Sequence, residues 1–69
     1  MAIGDRIKYY RKRSNFTQSQ LAELIGVSPQ AISKWETGIG CPDISVIVPL
    51  AIALRISTDE LLEIRLESI

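Results

Sequence analysis

Residues 17–38 read TQSQLAELIGVSPQAISKWETG, and the rest of the chain is best read outward from them. Thr17 and Ser28 each stand where an apolar pattern of helical period begins. Their side-chain oxygens can cap the N–H groups that the first turn of a helix leaves unpaired. Phe16 and Leu21 flank the first cap and Val27 and Ile32 the second, at the spacing of a hydrophobic staple. Gln20, three residues after Thr17, completes a capping box, and Pro29 takes the first helical position after Ser28, where a missing N–H costs nothing. The pattern predicts one short helix over residues 18–25 and a second over 29–37, joined by Gly26-Val27-Ser28.

The same signal recurs downstream. Ser57 is a third N-cap with Glu60 as its capping-box partner, and Ile56 and Leu61 form its staple. Helical spacing elsewhere predicts helices over about 2–14, 45–54 and 58–66, and no stretch alternates with period two. Asn15, Gly26 and Gly38 follow the first three helices, where a left-handed residue commonly ends a helix. Pro49 removes one donor within helix 4 and predicts a slight bend. Helix 4 is apolar almost all round, so it is expected to be the central buried element. The fold class expected is all-α, with five helices in a single domain over residues 1–69.

Composition narrows the function. The 69 residues hold one Cys and no His, so a zinc site and a Cys-His nucleophile pair are unavailable, and no metal or cofactor is expected. A lone Cys forms no internal disulfide, which fits a reducing cytoplasm. The N-terminus turns charged at once, without the apolar core of a signal peptide. The longest nearly apolar run, residues 44–54, is far short of the roughly 20 residues of a membrane span. Asp59, Glu60 and Glu63 cluster, but beside Ser57 they read as helix-start chemistry and no second motif supports an enzyme. Eight cations balance eight anions, which taken alone argues against nucleic acid. The charges are segregated, however. Residues 1–34 hold six cations against two anions, and residues 35–69 hold two against six. One half can meet phosphate while the other limits indiscriminate binding.

The turn and its neighbours have the composition of a helix-turn-helix. Ala22 is small enough for the second helix to cross close to the first, Gly26 can take a positive φ, and Leu21, Ile25, Val27, Ile32 and Trp35 supply an internal wedge. The alternative is any helical hairpin with a glycine turn; matching all these positions together over about twenty residues favours the DNA-reading form. The chain resembles the phage repressor and Cro-type helix-turn-helix regulators, through IGDRIKYYRKR, the quoted segment with its ISKWE, and PDISVIVPLAIALRISTDELL. The resemblance implies a five-helix, repressor-like domain in which helix 3 enters the major groove of DNA. The sequence departs from the usual pattern at Asn15 and Arg55, where glycine is common. Asn tolerates a left-handed backbone, whereas Arg55 is less comfortable there.

On helix 3, Pro29, Gln30, Ser33, Lys34 and Thr37 share one arc, and Ala31, Ile32, Trp35 and Glu36 the opposite one. A polar arc is ordinarily a solvated face, but this one suits base edges. Gln30 can pair with adenine N6 and N7, and Lys34 can donate to guanine O6 and N7. Ser33 can reach a base or a phosphate, and Pro29 a thymine methyl. Gln18 resembles the family's phosphate-contacting glutamine; Asn15, Ser28, Thr37 and the backbone of residues 38–40 are further phosphate candidates. Arg11, at the edge of the Ile3, Ile7 and Tyr10 face, matches a family arginine that pairs with a glutamate at the position of Glu36; the alternative is two independent surface charges. Trp35 reads as wedge, Tyr10 as core and Cys41 as a loop residue, while Tyr9 on the outer face of helix 1 has no assigned role.

The function expected is a non-catalytic, sequence-specific DNA-binding regulator, by resemblance a repressor, acting on a palindromic double-stranded operator as a homodimer with half-sites about one turn apart. Leu61, Leu62, Leu66 and the tail offer a dimer surface, or else they close the core of a monomer. A module of another class, an antitoxin-like subunit or bridging factor using the scaffold to hold a protein, is the alternative. The chain reads either as a whole small regulator or as the N-terminal domain of a longer one.

Overall fold

The computed structural model describes residues 2–62. Five helices follow in order: α1 (Ile3–Arg13), α2 (Gln18–Ile25), α3 (Pro29–Glu36), α4 (Ile44–Leu54) and α5 (Thr58–Leu62), with no strand among the described residues. The local signals operate as their chemistry requires. Thr17 Oγ1 accepts from Gln20 N at 3.0 Å while Gln20 Oε1 accepts from Thr17 N at 2.9 Å. Ser57 and Glu60 form the same reciprocal pair, both bonds 3.0 Å. Ser28 Oγ accepts from Ala31 N at 3.1 Å. Asp43, which sequence reading did not single out, caps α4: the N–H and hydroxyl of Ser45 both donate to its Oδ2, which holds the carboxyl below its ordinary range. Helix 4 therefore starts one residue earlier than expected, and it continues through Pro49, which lies on its exposed side.

All five helices contribute to one core. Ile7, Leu21, Ala22, Ile32, Trp35, Leu50, Ala51, Leu54 and Leu61 are buried, with Phe16, Ile25, Val27 and Ile56 packed around them. The three staples and the wedge thus lie against the same apolar centre. Helix 4 is not the central buried element. It buries Leu50, Ala51 and Leu54 but leaves Ile44, Val48 and Ile52 exposed. Its uniform apolarity hides two faces, because only one of them meets α2 and α5.

Two constraints on α1 depend wholly on tertiary packing. A Cβ at Gly4 would collide with the Trp35 carbonyl oxygen and stand 3.1 Å from its carbon, so α1 and α3 approach at this glycine. Arg6, counted above among the cations of a basic half, is buried, and its Nε donates to the Leu61 carbonyl at 3.1 Å. Leu61 is itself fully buried, so it belongs to the core and not to a dimer surface; Leu62 is exposed, and Leu66 lies outside the described residues. Asn15, Gly26 and Gly38 take the left-handed backbone expected of them, and Arg55 joins them at φ 58°.

Gly4→Ala forces backbone apart and is expected to destabilise the fold by about 2 kcal/mol or more, read by urea denaturation. Arg55→Gly is expected to add about 1 kcal/mol, by removing the left-handed cost to a side chain with a Cβ. Arg55→Ala keeps that Cβ and is the matched control; an equal gain in both would discount backbone strain.

Candidate nucleic-acid interface

The arrangement of α3 against the rest of the domain rests on one buried cluster. Arg11 reaches from the last turn of α1, and its Nε and one terminal nitrogen donate to the two carboxylate oxygens of Glu36 at 2.6 and 3.0 Å. Its other terminal nitrogen donates to the Phe16 carbonyl at 2.8 Å. Gln18 Nε2, in the first turn of α2, donates to Glu36 Oε1 at 3.2 Å. The Arg11 and Glu36 side chains are only 10% and 3% exposed, so the pair is internal and not two surface charges. The planar guanidinium can serve both oxygens and a carbonyl at once, which a lysine cannot. Burial by itself pushes Glu36 up. The hydrogen bonds from Arg11 and Gln18, with the charges of Arg11 and Lys8, outweigh it and hold the carboxyl below its ordinary value.

With its inner arc fixed, α3 turns the other arc outward. Pro29, Gln30 and Lys34 are exposed and Ser33 half-buried, while Ile32 and Trp35 face the core. No hydrogen bond within the described residues occupies the side chains of Gln30, Ser33 or Lys34, so their donors and acceptors are available to a groove. Lys34 sits at the C-terminal end of this arc and Pro29 at its start, so the four residues line about one and a half turns.

The phosphate candidates divide into two sets. Gln18 gives one amide hydrogen to Glu36 and keeps a second, so its side chain is braced and still able to donate. Asn15 is exposed with its amide unengaged, and the Ser28 hydroxyl accepts from Ala31 N without giving up its proton. Gln18 and Ser28 sit at the N-terminal ends of α2 and α3, where the helix dipole favours an anion, and Asn15 lies in the turn between α1 and α2. At the far end of α3 the donors are already committed. The Thr37 hydroxyl donates to the Ser33 carbonyl at 2.9 Å, and Thr37 N donates to the same oxygen. The N–H of Gly38 donates to Trp35 O, and those of Ile39 and Gly40 to Lys34 O. Thr37 would have to turn its hydroxyl away from the helix to reach a phosphate. Lys12 and Arg13, exposed in the last turn of α1 just before Asn15, are additional cations beside the first set. Sequence reading counted their charge but did not place them; the marker was their position two and three residues before Asn15.

The sequence model of the family described as Helix-turn-helix matches residues 7–61. The cryptic phage CTXphi transcriptional repressor RstR of Vibrio cholerae serotype O1 is 44% identical over 61 residues, 88% of this chain and 54% of that protein. The chain spans about half or less of the length of the first curated relatives it matches. Among solved structures, the c2 repressor of Salmonella phage P22 in complex with a synthetic operator superposes with a TM-score of 0.86 at 36% identity, covering 91% of this chain and 96% of that one. SinR of Bacillus subtilis in complex with DNA gives a TM-score of 0.80 at 35% identity, over 86% of this chain and 95% of that one.

Glu36→Gln keeps the shape but leaves Arg11 without its carboxylate, and is expected to cost about 3 kcal/mol, measured by urea denaturation near neutral pH. Because the folded pKa of Glu36 lies below its ordinary 4.5, its contribution is present above 4.5 and is lost as pH falls through the folded value. Stability followed downward from pH 4.5 should therefore fall more steeply for the parent chain than for Glu36→Gln.

Proposed function

The chain belongs to the helix-turn-helix family, and from that membership we propose that it is a sequence-specific DNA-binding transcriptional repressor that reads the major groove with α3. The observation carrying this reading is the unoccupied arc of Pro29, Gln30, Ser33 and Lys34, held outward by an internal ion pair. Its support is the P22 c2 repressor, a structural match over almost the whole of both chains that is bound to an operator. Gln30 is assigned to an adenine and Lys34 to a guanine, since each offers the donor pattern its base edge accepts. Ser33 is placed to add a base or phosphate bond, and Pro29 a contact with a thymine methyl. Gln18, Asn15 and Ser28 are assigned to phosphates and set the register of α3 without selecting bases.

Binding is assigned to a homodimer on a palindromic operator, in the cytoplasm, without a catalytic step. A single module of this size meets only a few phosphates, and pairing two half-sites raises affinity through effective concentration.

Selection from a random duplex pool is expected to yield two inverted half-sites about one helical turn apart. Gln30→Ala should relax preference at one position of each half-site, at about 1–3 kcal/mol against the wrong base. Gln18→Ala should weaken all sequences alike. A uniform loss in the Gln30 variant would remove it as a base reader, and retention on random DNA that ignores salt would count against the interface as a whole.

A further inference from the structure

The reading arc leaves a second surface unexplained. Along the outer side of α4, Ile44, Val48 and Ile52 are 85%, 54% and 70% exposed. They recur every four residues and form one stripe. From Ile44 to Leu54 the helix contains no charged residue, and Ser45 and Pro49 are the other exposed neighbours. Together the three aliphatic side chains present on the order of 400 Å² of apolar surface, the size of the largest patch on a small domain, which is often functional.

The ends of the stripe carry opposite charges. Asp43 caps the N-terminal end of α4, and its lowered pKa keeps it anionic. Arg55 ends the helix at φ 58° and ψ 42°, a left-handed conformation that is strained for a side chain with a Cβ. The Arg55 guanidinium is exposed and has no hydrogen bond or ion pair among the described residues.

We propose that the outer face of α4 is the surface through which two copies of this chain pair, antiparallel about a two-fold axis passing near Val48. This rests on the homodimeric reading given above and assigns its interface. Val48 lies four residues from both Ile44 and Ile52, so a two-fold axis there sets the Ile44 of each copy against the Ile52 of the other. The same operation brings Asp43 of each copy toward Arg55 of the other, so one stripe supplies two apolar contacts and two opposed charge pairs. A self-complementary face is what an isologous interface requires. A charged partner would find no counter-charge between those ends, and a copy of the chain supplies both signs, Asp43 five residues before Val48 and Arg55 seven after it. The stripe shares no residue with the arc on α3. A patch of this area falls short of the roughly 800 Å² per partner of a standard interface, so the free dimer is weak and two adjacent half-sites promote it.

Sedimentation equilibrium of the full 69-residue chain, from micromolar to about millimolar concentration, should show reversible dimerisation. Val48→Glu places two carboxylates at the axis and should raise the dimer Kd roughly a hundredfold or more. A circular dichroism melt of the variant checks that the fold is retained, as an exposed position permits. Val48→Cys in a Cys41→Ser background should cross-link to a dimer under copper phenanthroline, whereas Leu24→Cys in that background, exposed on α2, should not. A parent chain that stays monomeric to about 1 mM, or a folded Val48→Glu chain that dimerises like the parent, overturns this interface. Salt-dependent binding of the folded Val48→Glu chain to a single half-site separates the two readings. If that binding persists, the DNA-reading function stands whatever becomes of the α4 interface, and if parent and variant both lack it, that function fails instead.

Discussion

One guanidinium, that of Arg11, sets the relation among the first three helices. It binds both oxygens of Glu36 on α3 and the carbonyl of Phe16 before α2, while Gln18 on α2 adds a bond to the same carboxylate. A buried charge is tolerated only when its lone pairs and hydrogens are served, so each partner constrains the position of the others. A purely apolar contact could slide by a fraction of a turn at little cost. This pair cannot, because displacing α3 along its axis would strand a carboxylate in a site only 3% exposed. The direction in which Gln30 and Lys34 point follows from that restriction.

A second arginine on the same helix does the equivalent work at the opposite end of the fold. Arg6 donates to the Leu61 carbonyl, tying α1 to α5. In a domain this small the apolar core is limited, and polar links that fix angles supplement it. Both arginines are therefore structural, and they cannot be added to the charge offered to a phosphate backbone. The cations that remain exposed on α1 are Lys8, Lys12 and Arg13, and the last two stand in the final turn of the helix, just before Asn15 in the chain. The basic half seen in the sequence survives, but as a smaller and more localised patch.

The two faces of α4 connect packing to assembly. Leu50, Ala51 and Leu54 close the core, and the opposite stripe remains uncovered by anything among the described residues. A helix of such composition would not be tolerated on a solitary surface without some cost in solubility. The left-handed Arg55 at its end adds a strained backbone under a side chain with no partner among the described residues.

Short-range chemistry was legible without coordinates. Thr17 with Gln20, Ser57 with Glu60, the cap at Ser28, and the left-handed residues after three helices all involve neighbours within a few positions, so their spacing already contains their geometry. The outward and inward arcs of α3 follow equally from its period, and the family resemblance supplied the Arg11–Glu36 pairing. What local reading could not reach depends on distances set by the whole chain. Nothing near Gly4 announces the Trp35 carbonyl beside it, and nothing near Arg6 announces Leu61, 55 residues away. Uniform apolarity concealed which side of α4 faces water, and the turn after α3 took up the donors of Thr37 and residues 38–40. The sequence by itself determined the helices, their caps and the character of the reading arc, because those depend on periodicity and nearest neighbours. Only the tertiary structure decided which charges are buried, which donors remain free and which apolar face of α4 is left exposed, because those depend on how five helices share one small core.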